Sequence, residues 1–118
     1  MSGGDGSEAQ AAPEARGDAN GPELSVVIPL YNEEENVPRL YERLKQALTA
    51  LGRSYEVIFV NDGSQDGTGE QLERLVSQDE HLVVVSFRRN FGQTAALSAG
   101  LDLARGRILV PMDGDLQN

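Results

Sequence analysis

Residues 24–51 read LSVVIPLYNEEENVPRLYERLKQALTAL, a β-branched run followed closely by a helical pattern. Leu24 to Leu30 is a strand closed by Pro29, and Val37, Leu40, Tyr41, Leu44, Leu48 and Leu51 then recur at the spacing of one helix face. Asn36 is placed to cap that helix, Pro38 falls in its tolerant first turn, and Gly52 marks its end. The same alternation continues downstream. Tyr55 to Asn61 is a second strand, with Asp66 or Thr68 as the cap of a helix whose Leu72, Leu75 and Val76 form the buried stripe. Leu82 to Phe87 is a third strand, Thr94 to Ala104 a helix rich in small residues, and Arg107 to Met112 a fourth strand. The pattern is βαβαβαβ.

Apolar runs without alternation are strands buried on both faces, and helical crossovers of this length impose parallel pairing with right-handed connections. A doubly wound α/β layer follows; the usual strand order of such sheets, 3-2-1-4, would leave the fourth strand at an edge. Upstream, Ser2 to Glu23 contains no Val, Ile, Leu or Phe, so it cannot bury enough apolar surface to offset its ordering entropy. Residues 1–22 are therefore expected to be a disordered tail, and residues 23–118 the folded domain.

The net charge is −9, of which Asp5, Glu8, Glu14 and Asp18 against Arg16 account for −3, leaving −6 for the rest. Such a domain repels a polyanion, so nucleic acid is not an expected partner. No stretch approaches the roughly 20 apolar residues of a spanning helix, and there is no secretory signal, so a cytoplasmic chain is expected. The chain has no cysteine, which excludes disulfides and thiolate metal sites.

In open parallel sheets ligands bind outside the carboxyl ends of the strands. After the first strand comes PLYNEEEN, without the glycines of an ordinary dinucleotide site. Glu33, Glu34 and Glu35 suit a helix N-terminus through the macrodipole; equally, Tyr31 and Glu33 suit a nucleoside, one as a ring and the other as an acceptor. After the second strand, Asn61, Asp62, Gly63 and Ser64 form a turn, with Asp62 adjacent to the first loop. After the third, Arg88 and Arg89 precede a glycine and a helix start, which is either a solvated strand end or an anion site. After the fourth comes DGDLQN, where Asp113 and Asp115 offer hard oxygen ligands to Mg²⁺ or Mn²⁺ beside Gln117. An aspartyl-phosphate nucleophile is disfavoured, because that motif follows a first strand and carries Thr or Val where Gln117 stands.

The set PLYNEEEN, VNDGSQDGT, RRNFGQTAALSAG and DGDLQN, in this order and spacing, resembles family 2 glycosyltransferases. Within them it is most similar to the polyprenyl-phosphate group, which contains dolichyl-phosphate mannose synthase and bacterial undecaprenyl-phosphate sugar transferases. The resemblance covers Leu24 to Asn118. It implies a GT-A nucleotide-diphospho-sugar transferase fold, with a divalent cation and inversion at the anomeric centre. It also implies that Pro29, Tyr31 and Glu33 hold the nucleoside and that Asp62 contacts the base. Arg89, Asn90, Gly92 and Gln93 would lie near the donor; Asp113 and Asp115 would form the catalytic metal-binding pair, with Gln117 supporting the metal or diphosphate.

Members of this group continue after the second aspartate with an acceptor-binding region and membrane-contacting segments. The chain is thus expected to be the donor half, truncated after the fourth strand. Its polyprenyl-phosphate acceptor and any membrane contact, at a cytoplasmic face, would come through the full-length parent. Two other readings compete: a nucleotide-binding module without chemistry, and a receiver-like domain phosphorylated on an aspartate. An unpaired apolar fourth strand is expected to favour self-association. The isolated chain is expected to transfer no sugar to a polyprenyl phosphate; measurable transfer by purified material would refute that expectation.

Overall fold

The computed structural model describes residues 21–114, so the expected tail up to Asn20 and residues 115–118 lie outside the described residues. Pro22, assigned to the tail from composition, is buried at the foot of the first strand. Seven elements follow in the expected order: β1 Leu24–Leu30, α1 Val37–Leu51, β2 Tyr55–Asn61, α2 Thr68–Gln78, β3 Leu82–Ser86, α3 Gln93–Leu103 and β4 Ile108–Pro111. The strands form one parallel sheet in the order β3-β2-β1-β4.

β1 is buried along its whole length, because α1 and α2 cover one face of the sheet and α3 the other. Leu24, Val26, Ile28 and Leu30 enter the first layer with Val57 and Phe59 of β2, Leu40, Leu44 and Leu48 of α1, and Leu72 of α2. Val27, Ile58 and Val60 face the other layer with Ala96 of α3. The small residues of α3 bring it close to the sheet: a Cβ on Gly100 would overlap Val27. Helix α1 ends on Gly52 at φ 73°, a left-handed position that glycine adopts without strain.

Some element ends differ from the sequence reading. Asn36 does precede α1, but its side chain donates to Glu33 Oε1 at 2.7 Å and makes no cap bond. Gly67 occupies the cap position of α2, while Asp66 Oδ1 accepts from the Thr68 backbone at 2.9 Å and hydroxyl at 2.6 Å. β4 is shorter than expected, and Pro111 explains how its edge is managed. Ile108 and Met112 donate inward to Glu23 and Val27, so the intervening odd residues face outward and the missing N–H of Pro111 falls on the open side. The proline costs no bond to β1 and removes a donor from the edge.

At the amino end of the sheet a carboxylate is buried in a way the apolar pattern did not announce. Glu56 is 4% exposed and Ser25, its register partner, is fully buried. Glu56 Oε2 accepts from Ser25 Oγ at 2.6 Å and from the Arg105 backbone at 2.7 Å, and Gly106 N–H donates to Ser25 Oγ at 2.7 Å. The cluster fastens the α3–β4 connection beneath β1 and β2. Nearby, Tyr41 Oη donates to Asp79 Oδ2 at 2.6 Å, and Asp79 Oδ1 meets His81 Nδ1 at 2.8 Å. Burial pushes the Asp79 carboxyl up, but the hydrogen bonds from Tyr41 and from the His81 backbone and ring outweigh it and hold it below its usual value. The same bond, ahead of burial, pushes Tyr41 up to about 12.

Glu56→Ala should cost about 3 kcal/mol in urea denaturation, since it strands the Ser25 hydroxyl and the Arg105 N–H. The lowered pKa of Asp79 gives a pH dependence of definite sign. Its depressed pKa contributes stability that is present above the unfolded value near pH ~4 and is lost as pH falls through the folded value. Asp79→Asn should therefore flatten the acid limb of a plot of stability against pH, and an unchanged limb would refute this assignment.

Candidate functional site

Parallel pairing brings the carboxyl ends of β1, β2 and β4 together, and their loops enclose a cleft of about 320 Å³ with the start of α3. Pro29, Tyr31 and Glu33 come from the loop after β1, Asp62 from the end of β2, and Asp113 from the end of β4. Asn90, Gly92 and Gln93 supply the remaining wall. Gly114 seats the last loop against β1, where a Cβ would overlap Leu30 Cδ2.

The loops are tied to one another by side-chain to backbone bonds. Asn32, at φ 53°, receives no help from flexibility; its N–H donates to Ser64 Oγ at 2.9 Å and its Oδ1 accepts from Gln65 at 2.8 Å. Glu33 N–H donates to Thr68 Oγ1 at 2.9 Å, and Gly67 N–H donates to Glu34 Oε1 at 3.0 Å. The acidic run thus serves as more than a helix start: Glu34 holds the second loop, leaving the Glu33 carboxylate between Asn36 and the cleft.

Asp62 is 3% exposed and accounts for the third wall. Its Oδ1 accepts from Phe91 N–H at 2.8 Å, and its Oδ2 accepts from Gly92 N–H and Asn90 Nδ2, each at 3.0 Å. Asn90 Nδ2 also reaches the Asp62 carbonyl at 3.1 Å. Gly63 permits the approach, being at φ 73° with its absent Cβ in the space of the Arg89 carbonyl carbon. One carboxylate therefore orders the segment from Asn90 to Gly92.

The structure brings together Pro29, Tyr31, Glu33, Asp62, Gln93 and Asp113 among the residues singled out from sequence. It turns Arg89 away, with its guanidinium 4.9 Å from the Phe91 ring centroid. Asp115 and Gln117 lie outside the described residues. Among the described residues no three His, Cys, Asp or Glu side chains form a metal cluster, so Asp113 is the described member of the expected pair. Sequence reasoning missed Asn32 and Ser64 as the stitches between loops. The N–D–G–S turn was a signal, but its partner could be known only once β1 and β2 were paired.

A parallel sheet in the order β3-β2-β1-β4, with helices on both faces and a cleft across its β1 and β4 ends, has the GT-A fold, and solved glycosyltransferase structures agree. Residues 1–349 of S. aureus TarS superpose with a TM-score of 0.65 at 26% identity, covering 79% of this chain and 27% of that one. The mannosyltransferase PcManGT from Pyrobaculum calidifontis gives 0.67 at 24% identity, covering 90% of this chain and 31% of that one. The model of glycosyl transferase family 2 matches residues 25–118, and the chain belongs to that family.

An uncharacterised glycosyltransferase of Synechocystis is 49% identical over 96 residues, which is 81% of this chain and 30% of the relative. The dodecaprenyl-phosphate galacturonate synthase of Rhizobium johnstonii is 47% identical over 97 residues, 81% of this chain and 29% of the relative. The undecaprenyl-phosphate 4-deoxy-4-formamido-L-arabinose transferase of Proteus mirabilis is 43% identical, with shares of 80% and 29%. The chain spans about 30% of the length of the curated relatives it matches.

Asp62→Ala is expected to release the third wall: the Phe91 and Gly92 amides should exchange with solvent faster by an order of magnitude or more, matching the loss of about 2 kcal/mol of charge-assisted bonding. Unchanged protection of these two amides would show that the loop is held by other contacts.

Proposed function

We propose that this chain forms the donor site of a transferase that moves a sugar from a UDP- or GDP-sugar to a polyprenyl phosphate, with inversion and with Mg²⁺ or Mn²⁺ as cofactor. The observation that carries the reading is the convergence of the β1, β2 and β4 ends on one cleft with an exposed aromatic ring and carboxylates. The family and the lipid-phosphate sugar transferases among the relatives support it, as does a TarS structure solved with UDP-GlcNAc.

Tyr31, 44% exposed, packs against the base, and Pro29 and Glu33 hold the nucleoside. Three donors already occupy Asp62, so it meets the base with the single acceptor direction left to it and acts chiefly by holding Asn90 and Gly92 in place. Gln93 reaches the donor from the first turn of α3. Arg89 belongs to a different surface. Asp113, with Asp115 and Gln117, supplies the hard oxygen atoms that suit a small divalent cation. When bound, that cation neutralises the diphosphate leaving group.

The residues of this chain bind and orient the donor. A lipid phosphate is ionised near neutral pH, so its oxygen can attack in line without a strong base, and positioning carries much of the rate. The whole protein works at the cytoplasmic face of a membrane, where its polyprenyl-phosphate acceptor lies. No described helix is long and apolar enough to cross a membrane.

Calorimetric titration with UDP and GDP, each with and without Mn²⁺, tests the reading. Metal-dependent binding of one nucleotide, weakened tenfold or more in both Asp113→Asn and Asp115→Asn, is the expected result. Binding that ignores the metal and both substitutions would favour a nucleotide-binding module without transferase chemistry.

A further inference from the structure

The segment after β3 has a second face. Asn90, Gly92 and Gln93 line the cleft, whereas Arg89 and Phe91 border a separate groove of about 640 Å³ with Phe87 and Arg88. Phe91 is 55% exposed. Its ring meets Phe87 edge-on at 5.5 Å and carries the Arg89 guanidinium over one face. Arg88 and Arg89 are both exposed, and neither is within ion-pair distance of a carboxylate among the described residues.

This arrangement costs free energy. A phenyl ring left half in water forgoes part of its burial, and the loop does not collapse over it because Asp62 holds the Phe91 and Gly92 amides. Two guanidinium groups without a carboxylate partner among the described residues, one of them held over a half-exposed ring, suit a phosphate ester attached to an apolar chain. An extended polyanion suits them poorly, since it would need many cations and would meet the acidic remainder of the domain. A bilayer touches only the loop that leads: carboxylates more than about 8 Å away are screened at physiological salt, and the nearer Asp62 carboxylate is buried under three donors.

We propose that the Arg88–Arg89–Phe91 loop docks on the surface of an anionic phospholipid bilayer. Phe91 enters the interfacial layer and the two arginines pair with headgroup phosphates. The opposite side of the same loop lines the cleft, so docking brings the cleft mouth close to the surface where a lipid-phosphate acceptor would lie. That consequence rests on the proposed function; the docking itself does not.

The test is co-sedimentation of the chain with vesicles of phosphatidylcholine plus phosphatidylglycerol, and of phosphatidylcholine alone, at low and high salt. Binding should require phosphatidylglycerol and weaken as salt rises. It should fall by roughly fivefold for each arginine in Arg88→Gln and the Arg88→Gln/Arg89→Gln pair, and severalfold in Phe91→Ser, all with thermal transitions like the parent. Absence of binding, equal binding to phosphatidylcholine alone, or binding indifferent to these substitutions would overturn the proposal. Nucleotide titration of the same unsubstituted preparation separates the two claims: vesicle binding lost with nucleotide binding intact rejects the docking alone, and the reverse rejects the donor site alone.

Discussion

Everything in this domain depends on β1 lying between β2 and β4 with both faces covered. A strand in that position must satisfy its backbone groups sideways and its side chains above and below, which is why LSVVIPL is apolar except for Ser25 and every residue of it is buried. The in-register parallel pairing of Leu30 with Asn61, and of Val27 with Pro111, then fixes where three chain ends emerge. The cleft is a consequence of that pairing, because residues more than 80 positions apart, such as Tyr31 and Asp113, meet only if β4 returns beside β1.

Polar groups finish what the apolar core begins. At the amino end, Ser25 and Glu56 hold the turn into β4; at the carboxyl end, Asp62 holds the turn into α3. Each is a buried acceptor with several donors, the condition under which a buried carboxylate is tolerated. The two devices share a logic: a carboxylate on β2 or just past its end fixes a connection made far along the chain. The second of them orders the cleft wall: the Asp62 carboxylate holds the Asn90 side chain and the Phe91 and Gly92 amides in place.

The strand ends and helix faces were largely legible because burial imposes periodicity on sequence. Parallel pairing followed from the chain's βαβ rhythm, whereas the order 3-2-1-4 was only the usual one for such sheets until the structure showed it. Pro111 was less legible: a proline in a strand says only that one N–H is missing, and which side of the edge it faces depends on register. Glu56 was also hidden. A single carboxylate in YEVIFVN reads as a solvent-facing position until Ser25 is known to be its neighbour.

By itself the sequence determined the element order, the apolar layers, the absence of cysteine chemistry and the four polar loops, because each depends on residues close together in the chain. Only the tertiary structure decided how those loops share their atoms. It assigned the Asp62 carboxylate to the backbone of Phe91 and Gly92, turned Arg89 out of the cleft onto Phe91, and stitched Asn32 to Ser64. Hydrogen bonding is directional and short in range, so which donor a carboxylate meets depends on the relative placement of elements that local patterns do not specify.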